Sequence, residues 1–222
     1  MNRGHVLYTG LDPAHYKTKD KLTHIPFIRI TPRLPNREDI RSAFAIFLQY
    51  THIIITSKST IKILIDYLNL FGYCIEDWKT KITLAVGIVT ARYLNDAGIH
   101  SLIVAKEETS EGVIQEIESL DPDNAFFFRP HSARARPVLN DFFDRKGIRC
   151  NRCALYDTES IAPEIIPDLN HFDEIVFTSP STVKAFLQIY KNVPSYIKVT
   201  CIGPITLDFF KESDKSYIGL NL

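Results

Sequence analysis

The side chains of this sequence that could do chemistry are mostly hydroxyls, and they recur in register. Thr56-Ser57-Lys58-Ser59-Thr60-Ile61-Lys62 and Thr178-Ser179-Pro180-Ser181-Thr182-Val183-Lys184 share five identities 122 residues apart. A second pair, Gly87-Ile88-Val89-Thr90 and Gly203-Pro204-Ile205-Thr206, lies 116 residues apart. A hydroxyl or glycine where a strand turns into a helix leaves backbone amides facing outward, and such turns hold anions. Thr56, Ser57, Gly87, Thr90, Ser179, Ser181, Gly203 and Thr206 are therefore candidate contacts for a carboxylate or phosphate. The plainer role for the serines is helix N-capping, and for the glycines strand termination. Nucleophilic catalysis by Ser57, Ser59, Ser179 or Ser181 lacks support, because no GxSxG elbow and no evident His/Asp partner accompanies them.

Two more residues stand out. Arg129 follows the apolar run Ala125-Phe126-Phe127-Phe128, at an expected strand end, and opens a stretch with seven basic residues up to Arg152 against Asp141 and Asp144. It is a candidate ligand contact, and the other basic residues read as a solvated helix face. Tyr156, in Leu155-Tyr156-Asp157-Thr158, is by default a packing residue. If two linkers bring it to the mouth between two domains, its phenol becomes an uncharged proton donor. His131, beside Arg129, reads as a bystander. Cys150-Asn151-Arg152-Cys153 has CxxC spacing, but no second pair completes four ligands, so neither a metal nor a redox role is expected.

The elements that position these groups alternate in type. Apolar runs at Val6–Thr9, Ile25–Ile30, His52–Ile55, Ile82–Val86, Leu102–Ala105, Ala125–Phe128, Glu174–Phe177 and Ile197–Ile202 read as strands. Segments with helical spacing lie between them, among them Ile40/Phe44/Phe47 after a cap at Asn36, Ile61/Leu64/Leu68, Val113/Ile117, and Val138/Phe142 ending at Gly147. Such alternation makes parallel α/β sheets, which bind ligands at the carboxyl ends of their strands. Thr31-Pro32-Arg33-Leu34-Pro35 and Ala162-Pro163-Glu164-Ile165-Ile166-Pro167 read as linkers. No P-loop or GxGxxG is present, so a nucleotide cofactor is not expected.

Composition bounds the partners. The 222 residues carry 26 Lys+Arg and 26 Asp+Glu, so no global basic field draws in nucleic acid. No apolar run reaches the ~18 residues of a membrane span, and the amino terminus lacks a signal-peptide core, so a cytoplasmic location is expected.

The ordered set of the twin Thr-Ser turns, Val86-Gly87-Ile88-Val89-Thr90-Ala91, Ile202-Gly203-Pro204-Ile205-Thr206 and Leu155-Tyr156-Asp157-Thr158 after Gly147 resembles the uroporphyrinogen-III synthase family, from about Pro26 to Thr206. The resemblance implies two similar flavodoxin/Rossmann-like parallel-sheet α/β domains joined by a two-stranded linker. The first would be discontinuous, 1–33 with 160–222, around an inserted domain 34–155, with linkers near 31–36 and 154–163. It implies a hydro-lyase of heme and porphyrin biosynthesis that cyclises the linear tetrapyrrole hydroxymethylbilane, inverting the last pyrrole ring through a spiro intermediate with loss of water. It also implies no metal or organic cofactor, a monomer, and substrate received from hydroxymethylbilane synthase. By the same resemblance Tyr156 is the acid for the leaving group, and Thr56, Ser57, Thr90, Ser179 and Thr206 face the ligand. Departures from the family pattern are Gly10 where the first strand usually ends in Thr-Arg, a short first helix, and a stop at Leu222. Ile218-Gly219-Leu220 is the expected counterpart of Ile99–Ile103, with no counterpart of the following helix. The alternatives are a degenerate homologue that binds a tetrapyrrole or polycarboxylate without turnover and an unrelated flavodoxin-like sensing module.

Overall fold

Short apolar runs fold as parallel strands, and the helically periodic segments between them as helices, in a computed structural model that describes residues 4–120 and 124–217. In chain order the elements are β1 (His5–Tyr8), β2 (Lys21–His24), β3 (Ile28–Pro32), α1 (Glu38–Ala45), β4 (His52–Ile55), α2 (Lys58–Leu70), α3 (Ile75–Lys79), β5 (Ile82–Ala85), α4 (Ile88–Asp96), β6 (Leu102–Val104), α5 (Ser110–Glu118), β7 (Phe127–Ser132), α6 (Val138–Lys146), β8 (Cys150–Ser160), β9 (Glu174–Phe177), α7 (Pro180–Tyr190), β10 (Lys198–Cys201) and α8 (Pro204–Ser213).

The strands form two sheets, ordered β10-β9-β1-β2 and β3-β8-β7-β4-β5-β6, with parallel pairing throughout the first and from β8 to β6 in the second. Edge strand β3 runs antiparallel to β8, as the bonds Arg33 N to Leu155 O and Ile161 N to Phe27 O show. The chain divides into two compact α/β units, Met1–Arg29 with Thr158–Leu222, and Ile30–Asp157. It passes between them twice, inside β3 and inside β8, which are neighbours in the six-stranded sheet. Thr31 and Pro32 are the end of β3 rather than free linker. As an edge strand, β3 loses no ladder bond to the missing proline N–H.

The repeat in the sequence is a repeat in wiring. Within the second unit the order β8-β7-β4-β5 matches β2-β1-β9-β10 of the first. In each, a strand feeding a Thr-Ser turn pairs with a strand feeding a Gly turn. Ile55 lies opposite Ala85, and Phe177 opposite Cys201. The bonds Val86 N to Ile55 O (3.0 Å) and Ile202 N to Phe177 O (2.8 Å) then repeat the same junction. Register alone thus sets the Thr-Ser and Gly turns side by side at the carboxyl edge of each sheet.

Burial on both sheet faces explains the unbroken apolar runs. Along β4, Ile53 and Ile55 pack with α1 and α2 residues such as Phe44, Leu64 and Leu68, whereas Ile54 packs with Val113, Ile117, Leu139 and Phe142 of α5 and α6. In the first unit Leu7, Ile175, Phe177, Phe186 and Phe210 form the core. Each such fully buried side chain contributes about 1.5–3 kcal/mol. Gly147 closes α6 at φ 66°, with Arg145 and Lys146 in the last turn.

Several elements differ from the sequence expectation. Leu11–His24 holds β2, a polar strand at the sheet edge where little apolar pattern is required. Helix α3 is too short to show a period. Arg37, not Asn36, occupies the N-cap of α1 and makes no side-chain cap bond. Strand β7 begins at Phe127 and runs on to Ser132. The expected counterpart segment Ile218-Gly219-Leu220 lies outside the described residues.

Candidate functional site

The two Thr-Ser turns build helix N-termini by different means. In the first unit Ser179 caps α7, its Oγ accepting from Thr182 N at 3.4 Å. Thr182 Oγ1 in turn accepts from Thr178 N (3.1 Å) and Ser179 N (3.2 Å) and donates to Ser179 O (2.7 Å). Ser181 follows within the first turn of α7 and is half-buried. In the second unit Ser57 caps α2 through its Oγ, which accepts from Ser59 N at 3.2 Å. Thr56 and Ser57 are half-buried there. Ser57 and Ser179 therefore serve as caps, and a ligand at these turns would meet the remaining amides and hydroxyls.

The two Gly turns differ more. Gly203 is exposed at φ 83°, and a Cβ built on it meets nothing within 4 Å. Gly87 is buried, because Glu108 fills the space in front of it. The Glu108 carboxyl carbon would lie 2.5 Å from a Cβ at Gly87, and its Oε1 accepts from Ile88 N at 2.9 Å. An acidic side chain of the chain itself thus occupies the turn at which a ligand anion was expected. Thr90 and Thr206, each in the first turn of the following helix, are buried.

Arg129 does not stand at a strand end. It is third in β7, 2% exposed, with Nη1 donating to Asn140 Oδ1 of α6 at 2.8 Å and Nε without a partner. Burial pulls its pKa down, and among the described residues no carboxylate forms an ion pair with it. The strand end proper is His131-Ser132. His131 Nδ1 lies 2.7 Å from Ser132 O, so that nitrogen carries the proton. Burial, aided by the charges of Arg129, Arg33 and Arg152, pushes His131 down to about 4. Arg33 itself forms a two-pronged bridge to Asp157, at 2.8 and 3.0 Å.

Tyr156 lies opposite Ser132, just after a register shift in the β7–β8 ladder. Its ring is buried in the core of the second unit. Its hydroxyl is 3.1 Å from Thr60 Oγ1, in the first turn of α2. The second unit thus has Tyr156, seventh residue of β8 and level with the carboxyl end of β7, bonded to Thr60 of α2, and the Ser57 cap and the Gly87 turn at the carboxyl ends of β4 and β5. The first unit separately holds Ser179, Ser181, Gly203 and Thr206. Thr9 is buried and donates to Val176 O at 2.7 Å. Gly10 faces Thr178 so closely that a Cβ would meet its Cγ2 at 2.5 Å. The CxxC cysteines face opposite sides of β8, Cys150 toward the α5/α6 core and Cys153 toward the α1/α2 core, and all four cysteines are free.

Glu108, Thr60 and Asn140 escape sequence reasoning. Only Thr60 carries a signal, its identity with Thr182 across the repeat.

Fold and wiring define a double α/β protein made of two mainly parallel sheets of like connectivity. The profile of the family described as Uroporphyrinogen-III synthase HemD matches residues 21–217. The chain belongs to the uroporphyrinogen-III synthase family. It is similar to the porphyrin biosynthesis protein HemD of Ruminiclostridium josui, 26% identical over 215 residues, which cover 94% of this chain and 41% of that relative. The chain thus spans less than half the length of that relative. Crystal structures of a mutant uroporphyrinogen III synthase from Thermus thermophilus (TM-score 0.61, 17% identity, 94% of this chain and 88% of that one) and of uroporphyrinogen-III synthetase from Helicobacter pylori (0.60, 16%, 95% and 88%) share its fold. Among the described residues no helix is long and apolar enough to cross a membrane.

Proposed function

We propose that this chain is a uroporphyrinogen-III synthase, a hydro-lyase that closes hydroxymethylbilane into uroporphyrinogen III with inversion of the last ring. The family match over residues 21–217 carries the proposal. In this reading no cofactor takes part. The pyrrole nitrogen expels the hydroxymethyl oxygen, leaving an azafulvenium, and Tyr156 gives its proton to the departing hydroxyl so that water leaves. Attack at the substituted carbon of the last ring gives the spiro intermediate. Fragmentation and re-closure then release one proton, which restores the phenol.

A neutral phenol suits a substrate rich in carboxylates, because it donates without adding a negative charge. Amides and hydroxyls at Thr56, Ser57, Thr90, Ser179, Ser181, Gly203 and Thr206 would hold the carboxylates, the Gly87 turn would take one only where Glu108 gives way to it, and Arg129 would add positive charge from beneath. The protein would act as a cytoplasmic monomer supplied by hydroxymethylbilane synthase. Binding without turnover is the second reading, favoured by Gly10, whose contact with Thr178 leaves no room for the arginine usual there. Incubation with enzymatically generated hydroxymethylbilane, followed by separation of the I and III isomers, decides between them. Formation of the III isomer above the spontaneous background supports turnover, and the I isomer alone leaves binding only.

A further inference from the structure

Thr60 and Thr182 occupy the same position of the sequence repeat yet use their hydroxyls differently. Thr182 Oγ1 is consumed in capping α7, where it accepts two amides and donates to Ser179 O. In α2 the side-chain cap bond runs from Ser59 N to Ser57 Oγ, and Thr60 N donates to Ser57 O. Thr60 Oγ1 is left to meet the Tyr156 hydroxyl at 3.1 Å, across 96 residues of chain. Thr60 is fully buried and Tyr156 nearly so, which leaves water little access to take over either role. A buried hydroxyl pair of this kind is stronger than an exposed one and fixes the direction of each O–H.

Resting on the acid role of Tyr156 proposed above, we propose that Thr60 is the positioning residue for the Tyr156 proton. A threonine in a helix can turn its proton toward a carbonyl of the preceding turn or toward another acceptor. When Thr60 donates to Tyr156 Oη, the phenol proton is free to point at the leaving hydroxyl. As that proton departs, the Thr60 O–H stays on the phenolate oxygen and stabilises its charge, with the first turn of α2 adding the positive end of the helix dipole. Thr60 keeps its own proton throughout, and the proton released at ring closure returns to Tyr156.

The test compares Thr60→Val, which keeps the shape and removes the hydroxyl, with Thr60→Ser, which keeps the hydroxyl. Both are assayed in the full chain with enzymatically generated hydroxymethylbilane. Thr60→Val should lower kcat roughly 5- to 10-fold, the effect of one neutral hydrogen bond, with KM unchanged, and Thr60→Ser should restore most of it. In protein labelled with 13C at the tyrosine Cζ, the Tyr156 resonance should move in Thr60→Val and return in Thr60→Ser. In the Tyr156→Phe background Thr60→Val should have no further effect on kcat. Parent kcat in Thr60→Val, or an equal loss in the Tyr156→Phe background, overturns the positioning role while leaving the acid reading intact. Parent kcat in Tyr156→Phe alone overturns the acid reading, and the positioning role with it.

Discussion

Glu108 Oε1 accepts a 2.9 Å hydrogen bond from the backbone nitrogen of Ile88, the first residue of α4. The carboxylate therefore sits where the amides of the Gly87 turn would receive a carboxylate of the substrate. The equivalent turn across the repeat, at Gly203, has nothing within 4 Å of a built Cβ. Glu108→Ala should lower KM for hydroxymethylbilane by about 2- to 5-fold, since a like charge at a helix N-terminus is removed. The same change should lower the melting temperature, because α4 loses a charge-assisted cap. An unchanged KM would mean that no substrate carboxylate visits this turn.

Tyr156→Phe keeps the ring in the core and removes only the proton and its bond to Thr60. Turnover should fall roughly 100-fold, the usual scale of general-acid help. Stability should fall by only about 1 kcal/mol, as for one hydrogen bond. Steady-state rates and a denaturant titration separate the two. Turnover at the parent rate would leave Tyr156 as packing.

Arg129 is a buried guanidinium whose side-chain partner is the neutral Asn140, and its Nε bonds to nothing. Burying such a charge without a counter-charge costs stability. Arg129→Met, of similar volume, should therefore melt at or above the parent temperature, and KM should rise because positive charge is withdrawn from the polycarboxylate. A lower melting temperature would show that its grip on α6 outweighs the desolvation.

His131 is held neutral, with a folded pKa of about 4 against an ordinary value of 6.5. The unfolded chain binds this proton more readily, so stability should fall as pH drops from about 6.5 toward 4. His131→Asn can keep the bond to Ser132 O and cannot titrate, so it should flatten that part of the profile. Melting temperatures of the two proteins between pH 7 and 4 test this, and parallel curves would refute it.

Gly10→Ala places a Cβ about 2.5 Å from Thr178 Cγ2, and overpacking of that kind costs about 1–3 kcal/mol. In a Thr178→Ala background most of the penalty should vanish, giving a clear interaction energy in a double-mutant cycle. Additive losses would place the strain elsewhere.

The apolar strands were legible because both faces of a parallel sheet are buried: His52–Ile55 and Glu174–Phe177 announce themselves and fold as read. The cap serines were legible too, since an N-cap is a local device. Strand β2 was not, being polar and at an edge. The strand continuation through Arg129, Pro130 and His131 was hidden by residues that rarely suit a strand and are held here by pairing with β8. At the site, Glu108 lies 20 residues from the amide it binds and Tyr156 lies 96 from Thr60. No local pattern encodes either approach. Identity of Thr60 with Thr182 was visible, but their different partners depend on where β8 runs.

The discontinuity of the first unit also sets an order of events during synthesis. Strand β1 pairs with β9, and the Thr9 hydroxyl bonds to a carbonyl 167 residues further on. The ribosome must therefore deliver the whole of Ile30–Asp157 before β1 can meet that partner. The inserted unit is contiguous and can complete its sheet first. Closing so long a loop is slow, so refolding from denaturant should show an early phase from Trp78, in the core of the inserted unit. A later phase should report the first unit, where a newly made chain is most exposed to proteolysis and aggregation.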